Sequence, residues 1–110
     1  MRQFFLISAV ALFAVAPTAF AGDAAAGKAK STVCAACHGP DGNKPIDANT
    51  PKLAGQHEDY LVKVLKDYRS GARANAIMGA QAANLKDQDI DDLAAYFASQ
   101  KGDIKEIPHH

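Results

Sequence analysis

The stretch Cys34-Ala35-Ala36-Cys37-His38 constrains the fold of this 110-residue chain more than any other feature. Two cysteines separated by two residues and followed at once by histidine form the pattern at which haem is attached through two thioether bonds. At about 100° per residue, a helix brings the thiols and the imidazole into one sector, where they can contact one flat macrocycle. The motif therefore predicts one covalent haem c, held by Cys34 and Cys37, with His38 as the proximal iron ligand.

Two other kinds of site also use a Cys-x-x-Cys pair. A thioredoxin-like dithiol follows a strand in a βαβ unit, and no strand pattern precedes Cys34. A zinc site needs a second pair of ligands at a similar spacing, and the chain has no further cysteines. Haem attachment is therefore the interpretation that the motif favours.

The first 21 residues are predicted to be a signal peptide that is removed on export. Arg2 gives a short basic start, residues 4–16 form an almost unbroken apolar run, and positions 19–21 read Ala-x-Ala, which predicts cleavage before Gly22. A membrane anchor is the alternative, but the run is shorter than the roughly 20 apolar residues that a spanning helix needs. We therefore expect residues 22–110 to form one exported domain without a stable membrane anchor.

The charge balance of this domain excludes some classes of partner. Removing Arg2 leaves 11 basic and 12 acidic side chains, so the net charge of residues 22–110 is about −1. The domain therefore lacks the excess of basic residues that would indicate nucleic-acid binding. A domain of this size buries a limited fraction of its surface and commonly relies on a metal, a cofactor or disulfides. We expect the haem to form a large part of the core.

Helical patterns appear in three stretches of the domain. Asp23 is a natural N-cap for a helix over about residues 24–36, in which Gly27 indicates either a close approach of another helix or an undemanding position. Apolar residues recur at i, i+3, i+4 and i+7 in two further stretches, predicting helices over about residues 58–70 and 87–100.

The segment between the first two helices holds the candidate partner of His38. Turn residues and prolines predict a loop over residues 39–56. A haem-ligating histidine usually donates its second ring N–H to a carbonyl or carboxylate group. A proline carbonyl is a natural acceptor, and the residues alone leave Pro45 and Pro51 as alternatives.

Met78 is the candidate ligand for the opposite face of the haem. It is the only methionine outside the predicted signal peptide, and it follows His38 by forty residues, so the chain can return to the other side of the iron. A thioether paired with histidine raises the reduction potential of haem iron. A methionine that only fills a gap in the core is the alternative, and the haem motif upstream favours the ligand.

Four motifs in this order resemble those of class I c-type cytochromes, of the short bacterial kind found as single-haem proteins and as halves of di-haem proteins. The resemblance covers about residues 23–101 and implies an all-α fold, with three main helices plus loops around one covalent haem. The motifs are Cys-Ala-Ala-Cys-His-Gly at 34–39, Pro-Lys-Leu-Ala-Gly-Gln at 51–56, Asn-Ala-Ile-Met at 75–78 and Leu-Ala-Ala-Tyr-Phe at 93–97.

The resemblance also implies roles for single residues. By position, Cys34 and Cys37 form the thioethers, and His38 and Met78 are the proximal and distal ligands. Pro51 is similar to the family proline whose carbonyl accepts the His38 ring N–H. Leu53 is similar to a residue that packs on the haem, and the helix with Gly27 would cross the last helix. Lys86 departs from the family, which often has a capping Ser or Thr there.

The function that this resemblance implies is electron transport rather than catalysis. We expect a periplasmic carrier that shuttles single electrons between larger redox proteins, one a donor and one an acceptor. Two alternatives remain open. A haem-based ligand sensor needs an open sixth position, against which Met78 argues, and the sequence does not exclude a haem subunit of a larger oxidoreductase.

Overall fold

The computed structural model describes residues 5–11 and 22–104, and within those ranges the regular secondary structure is helical. None of the helices in these ranges is long and apolar enough to cross a membrane. The helical secondary structure of the described residues confirms the predicted all-α fold class. Most of the predicted signal peptide, including Ala21 on one side of the cleavage site, lies outside the described residues. The five helices are α1 (Ala24–Lys30), α2 (Thr32–His38), α3 (Glu58–Ser70), α4 (Ala76–Ala82) and α5 (Asp87–Ser99).

The first predicted helix is in fact two helices that meet at Ser31. The Ser31 hydroxyl donates to the Lys28 carbonyl at 2.8 Å, and the Ser31 backbone N–H bonds to the same carbonyl at 3.2 Å. A serine that competes for backbone carbonyls tightens and bends a helix at such a point. The prediction of one continuous helix was therefore wrong. α2 then runs to His38 and ends at Gly39, whose φ of 88° favours glycine.

α1 and α5 cross at very short range. A Cβ atom on Gly27 would lie 2.0 Å from the Asp92 carbonyl oxygen and 2.8 Å from the Tyr96 Cβ. Any other residue at this position would therefore force the two backbones apart. Of the two interpretations of Gly27, the structure supports the close approach of another helix.

The crossing also contains a buried carboxylate. Asp92 is only 3% exposed, and it accepts hydrogen bonds from the Asp23 backbone N–H at 2.8 Å, the Lys30 ammonium at 2.6 Å and the Gln88 amide at 2.8 Å. These donors, with Lys30 the strongest, lower the pKa of Asp92 to about 2. Lys30 also pairs with Asp89 at 2.8 Å. We call Gly27 and the Asp92–Lys30 group together the α1–α5 crossing.

The last two long helices agree with their predicted bounds. α3 ends at Gly71, which has a φ of 84°. α5 begins after Lys86, although lysine is an unusual cap, because the Lys86 backbone N–H donates to the Asp89 carboxylate at 2.9 Å. The main core forms between these helices and contains Leu61, Leu93, Ala94, Tyr96 and Phe97.

One helix was not predicted. α4 is a seven-residue helix between α3 and α5, in a stretch without sustained periodicity. The Asn75 side chain caps it by accepting from the Ile77 and Met78 backbone N–H groups, both at 3.0 Å. α4 packs on α3, and this contact places Met78 beside the core.

Candidate haem site

An apolar pocket opens beside the core. It encloses about 550 Å³ of empty space, part of which is open to solvent. Four of the six predicted site residues, Cys34, His38, Leu53 and Met78, line it. The remaining lining residues are Leu61, Val64, Leu65, Tyr68, Leu93, Ala94 and Phe97. A pocket with apolar walls and two potential iron ligands fits a hydrophobic macrocycle that carries a metal.

The two cysteines lie on α2, and both are half-buried. Burial raises the pKa of the Cys34 thiol. Cys34 lines the pocket, whereas Cys37 lies one helical turn further along and is not among the lining residues. The Cys37 carbonyl accepts the Ile46 backbone N–H at 2.9 Å, which ties the following loop to α2.

The His38 ring is buried and held in one orientation. It is 6% exposed, and its Nδ1 lies 2.8 Å from the Pro51 carbonyl oxygen. Of the two prolines that the sequence left open, Pro51 is therefore the acceptor. When Nδ1 donates to a carbonyl, Nε2 carries the lone pair that can bind a metal.

The loop that supplies the Pro51 carbonyl is anchored on the end of α5. The Tyr96 hydroxyl donates to the Pro40 carbonyl at 2.8 Å, and the Gly55 backbone N–H donates to the Phe97 carbonyl at 3.0 Å. Sequence reasoning treated Tyr96 only as part of a family motif and did not assign this bond. The available signal was a tyrosine in an apolar helix, because a buried phenol usually has a hydrogen-bond partner.

Met78 reaches the same pocket from α4. Its side chain is half-buried and lines the space that His38 borders from α2. The structure therefore brings together two residues that are forty positions apart in the sequence. His57, the imidazole that could compete for the sixth position, is the N-cap residue of α3 and is not among the residues that line the pocket.

The sequence is similar to those of known haem proteins of one family. The cytochrome c family model matches residues 24–101. The chain is 59% identical over 81 residues to cytochrome c4 of Pseudomonas aeruginosa, a match that covers 74% of this chain and 40% of that protein. It is 48% identical over 86 residues to cytochrome c-554(548) of Halomonas halodenitrificans, which covers 74% of this chain and all of that protein.

A solved structure gives the same result for the fold. The crystal structure of reduced recombinant cytochrome c4 from Pseudomonas stutzeri superposes with a TM-score of 0.71 at 48% identity, over 76% of this chain and 48% of that one. The chain thus spans about half the length of the cytochrome c4 proteins that it matches. With its Cys-x-x-Cys-His motif, oriented imidazole and apolar pocket, this chain belongs to the cytochrome c family and binds one haem c.

Proposed function

We propose that this protein is a periplasmic electron carrier in which His38 and Met78 are the axial ligands of the haem iron. Cys34 and Cys37 carry its two thioether bonds. The observation that supports the proposal most directly is that His38 and Met78 border one apolar pocket from different helices. The bound haem c supplies an iron that alternates between Fe(II) and Fe(III). With His38 and Met78 both bound to the iron, no position would remain for a substrate.

The chain's own residues keep this site constant while the charge changes. The bond between His38 and the Pro51 carbonyl fixes the ring plane. The α4 cap at Asn75 fixes the backbone of Met78. The apolar walls, among them Leu53, exclude water and disfavour the extra positive charge of Fe(III). A site that reorganises little suits rapid one-electron transfer.

The domain proposed to carry this function is residues 22–110, released from a signal peptide over residues 1–21. The fold supports this boundary, since α1 begins at Ala24 and Asp23 caps it. Its proposed partners are redox proteins, one a donor and one an acceptor, which dock briefly through a small interface at the haem edge. A surface with nearly balanced charge gives no support to nucleic-acid binding.

Met78→Ala tests whether the protein is a carrier or a sensor. The replacement should open the sixth position, so that carbon monoxide binds the reduced iron readily. It should also abolish the weak near-infrared sulfur-to-iron band and lower the reduction potential by more than about 59 mV, a tenfold change in a one-electron equilibrium constant. Optical spectra and potentiometric titration measure all three effects.

His57→Ala is the matched control for Met78→Ala. It removes the competing imidazole and should leave the near-infrared band and carbon monoxide binding unchanged. The unmutated protein should bind carbon monoxide poorly at neutral pH. Fast and complete binding by the unmutated protein would show that Met78 is not a firm ligand, and the sensor would replace the carrier.

A further inference from the structure

Arg73 is an exposed residue in the loop between α3 and α4. Its guanidinium carbon lies 5.3 Å from the centroid of the Tyr68 ring, and Tyr68 lines the pocket. Its Nη1 donates to the Tyr60 hydroxyl at 3.4 Å, and its backbone N–H donates to the Asp67 carbonyl at 3.1 Å. The positive charge is therefore held beside a wall of the pocket by two aromatic side chains and a fixed backbone.

Several other cations have acidic partners, whereas Arg73 has none in the part of the chain that the structure describes. Arg69 pairs with Asp87 at 2.7 Å, Lys52 pairs with Asp103 at 3.2 Å, and Lys63 pairs with its helix neighbour Asp67. Among residues 5–11 and 22–104, no carboxylate lies within ion-pair distance of the Arg73 guanidinium. A guanidinium has five N–H donors, and the single bond to Tyr60 uses one of them.

Haem c brings the group that Arg73 lacks. The macrocycle carries two propionate carboxylates on the side away from the substituents that form the thioethers. Ionised carboxylates cannot be buried against apolar walls without a large desolvation cost. A propionate would therefore favour the rim of the pocket, beside a cation or hydrogen-bond donors. The planar fork of an arginine matches a carboxylate with two parallel hydrogen bonds.

We propose that Arg73 binds a haem propionate at the rim of the pocket beside Tyr68. The inference rests on the haem position of the proposed function. A cation there offsets the propionate charge, which favours the reduced iron and keeps the propionate ionised across the neutral range. Without it, the propionate would take up a proton at a higher pH, and the reduction potential would then vary with pH.

The titratable groups around Arg73 should not mask the predicted pH dependence of the reduction potential. Tyr60 and Tyr68 face it from α3. Asp67 offers Arg73 its backbone carbonyl, while its carboxylate pairs with Lys63. α4 contains no charged side chain. His57, the N-cap residue of α3, is present in every variant compared below.

The test is the reduction potential between pH 5 and pH 8 for the unmutated holoprotein, Arg73→Gln and Lys28→Gln. Lys28→Gln is the matched control, since it removes the same charge from an exposed position on α1, a helix that packs on α5 and not on α3. Arg73→Gln should shift the redox equilibrium about threefold to tenfold further toward the oxidised form than Lys28→Gln does. It should also give a potential that falls as the pH rises, a slope that a merely structural role would not produce.

Arg73→Gln overturns the proposal if its potential follows that of Lys28→Gln at every pH. If Arg73→Gln yields no folded holoprotein, Arg73→Lys takes its place. The proposal then expects a smaller shift and a shallower slope, and a curve identical to that of the unmutated protein contradicts it. Absence of the near-infrared sulfur-to-iron band from the spectrum of the unmutated protein would instead refute Met78 ligation. The two failures are separable, because the haem stays covalently attached whether or not Met78 binds the iron.

Discussion

The α1–α5 crossing and the haem pocket differ in how closely the chain packs against itself. At the crossing, the two backbones are in close contact, and a single added Cβ on Gly27 would lie 2.0 Å from a backbone oxygen. At the pocket, side chains from α2 to α5 leave about 550 Å³ open. The crossing is held by shape and a buried carboxylate, whereas the pocket depends on its cofactor.

This difference separates two kinds of sensitivity to mutation. A side chain added at the crossing meets backbone, which cannot rotate out of the way. A Cβ added at Gly79 on α4 meets only the Tyr68 carbonyl oxygen, at an ordinary contact distance of 3.8 Å. Stability should therefore respond strongly to small changes at the crossing and weakly to the same changes on α4. The reduction potential should respond in the opposite order.

The largest expected effect is that of Gly27→Ala. In an ordinary helix interior this change stabilises by about 1 kcal/mol. Here the new methyl group would force α1 away from α5, and we expect a loss of about 2–4 kcal/mol in the free energy of unfolding. Denaturant unfolding of the oxidised holoprotein measures it. An unchanged or raised midpoint would show that the crossing is looser than described.

The next effect concerns acid stability and Asp92. Its pKa is lowered from 3.8 to about 2, so it contributes stability that is present above about pH 4 and is lost as the pH falls toward 2. Asp92→Asn should lower the Tm by several degrees at pH 6 and flatten the dependence of Tm on pH in this acidic range.

Asp91→Asn is the control for Asp92→Asn, because it removes the same charge from the adjacent, half-buried position. Thermal unfolding followed by circular dichroism at pH 2 to 6 compares the two variants. If both lose stability with the same pH profile, then general charge repulsion, rather than the bonds of Asp92, controls the acid transition.

The smallest effect is expected for Gly79→Ala on α4, which repeats the first substitution on the pocket side. The nearest atom to the added Cβ is the Tyr68 carbonyl oxygen at 3.8 Å, an ordinary contact distance. The helix preference for alanine should then act without a clash, stabilising the protein by up to about 1 kcal/mol. The same unfolding assay applies. A loss as large as that of Gly27→Ala would remove the distinction between the two regions.

Sequence patterns predicted the long helices well and the short ones poorly. α3 and α5 have sustained apolar periods, and both lie at their expected positions. α4 has only seven residues, several of them alanine or glycine, so no apolar face can be seen in it. Its one local signal was Asn75, a good N-cap. The break at Ser31 depends on a single hydroxyl–carbonyl bond that periodicity does not detect.

At the candidate site, what the sequence could predict was the chemistry rather than the contacts. Cys34, Cys37 and His38 follow from a local motif, and Met78 follows from the need for a second ligand. The choice of Pro51 over Pro45 depends on how the loop folds back, which is a long-range property. The same holds for Arg73, because its position against Tyr68 results from the turn after α3.

The acceptor for the His38 ring is a main-chain carbonyl rather than a side chain. Every amino acid carries that group, so no point mutation at position 51 can delete it, and a replacement there can only move it. Heritable variation can therefore adjust this bond only indirectly, through the anchors that Tyr96 and Gly55 make with the loop. If His38 binds the iron as proposed, changes at these anchors would alter the orientation of its ring without removing the acceptor itself.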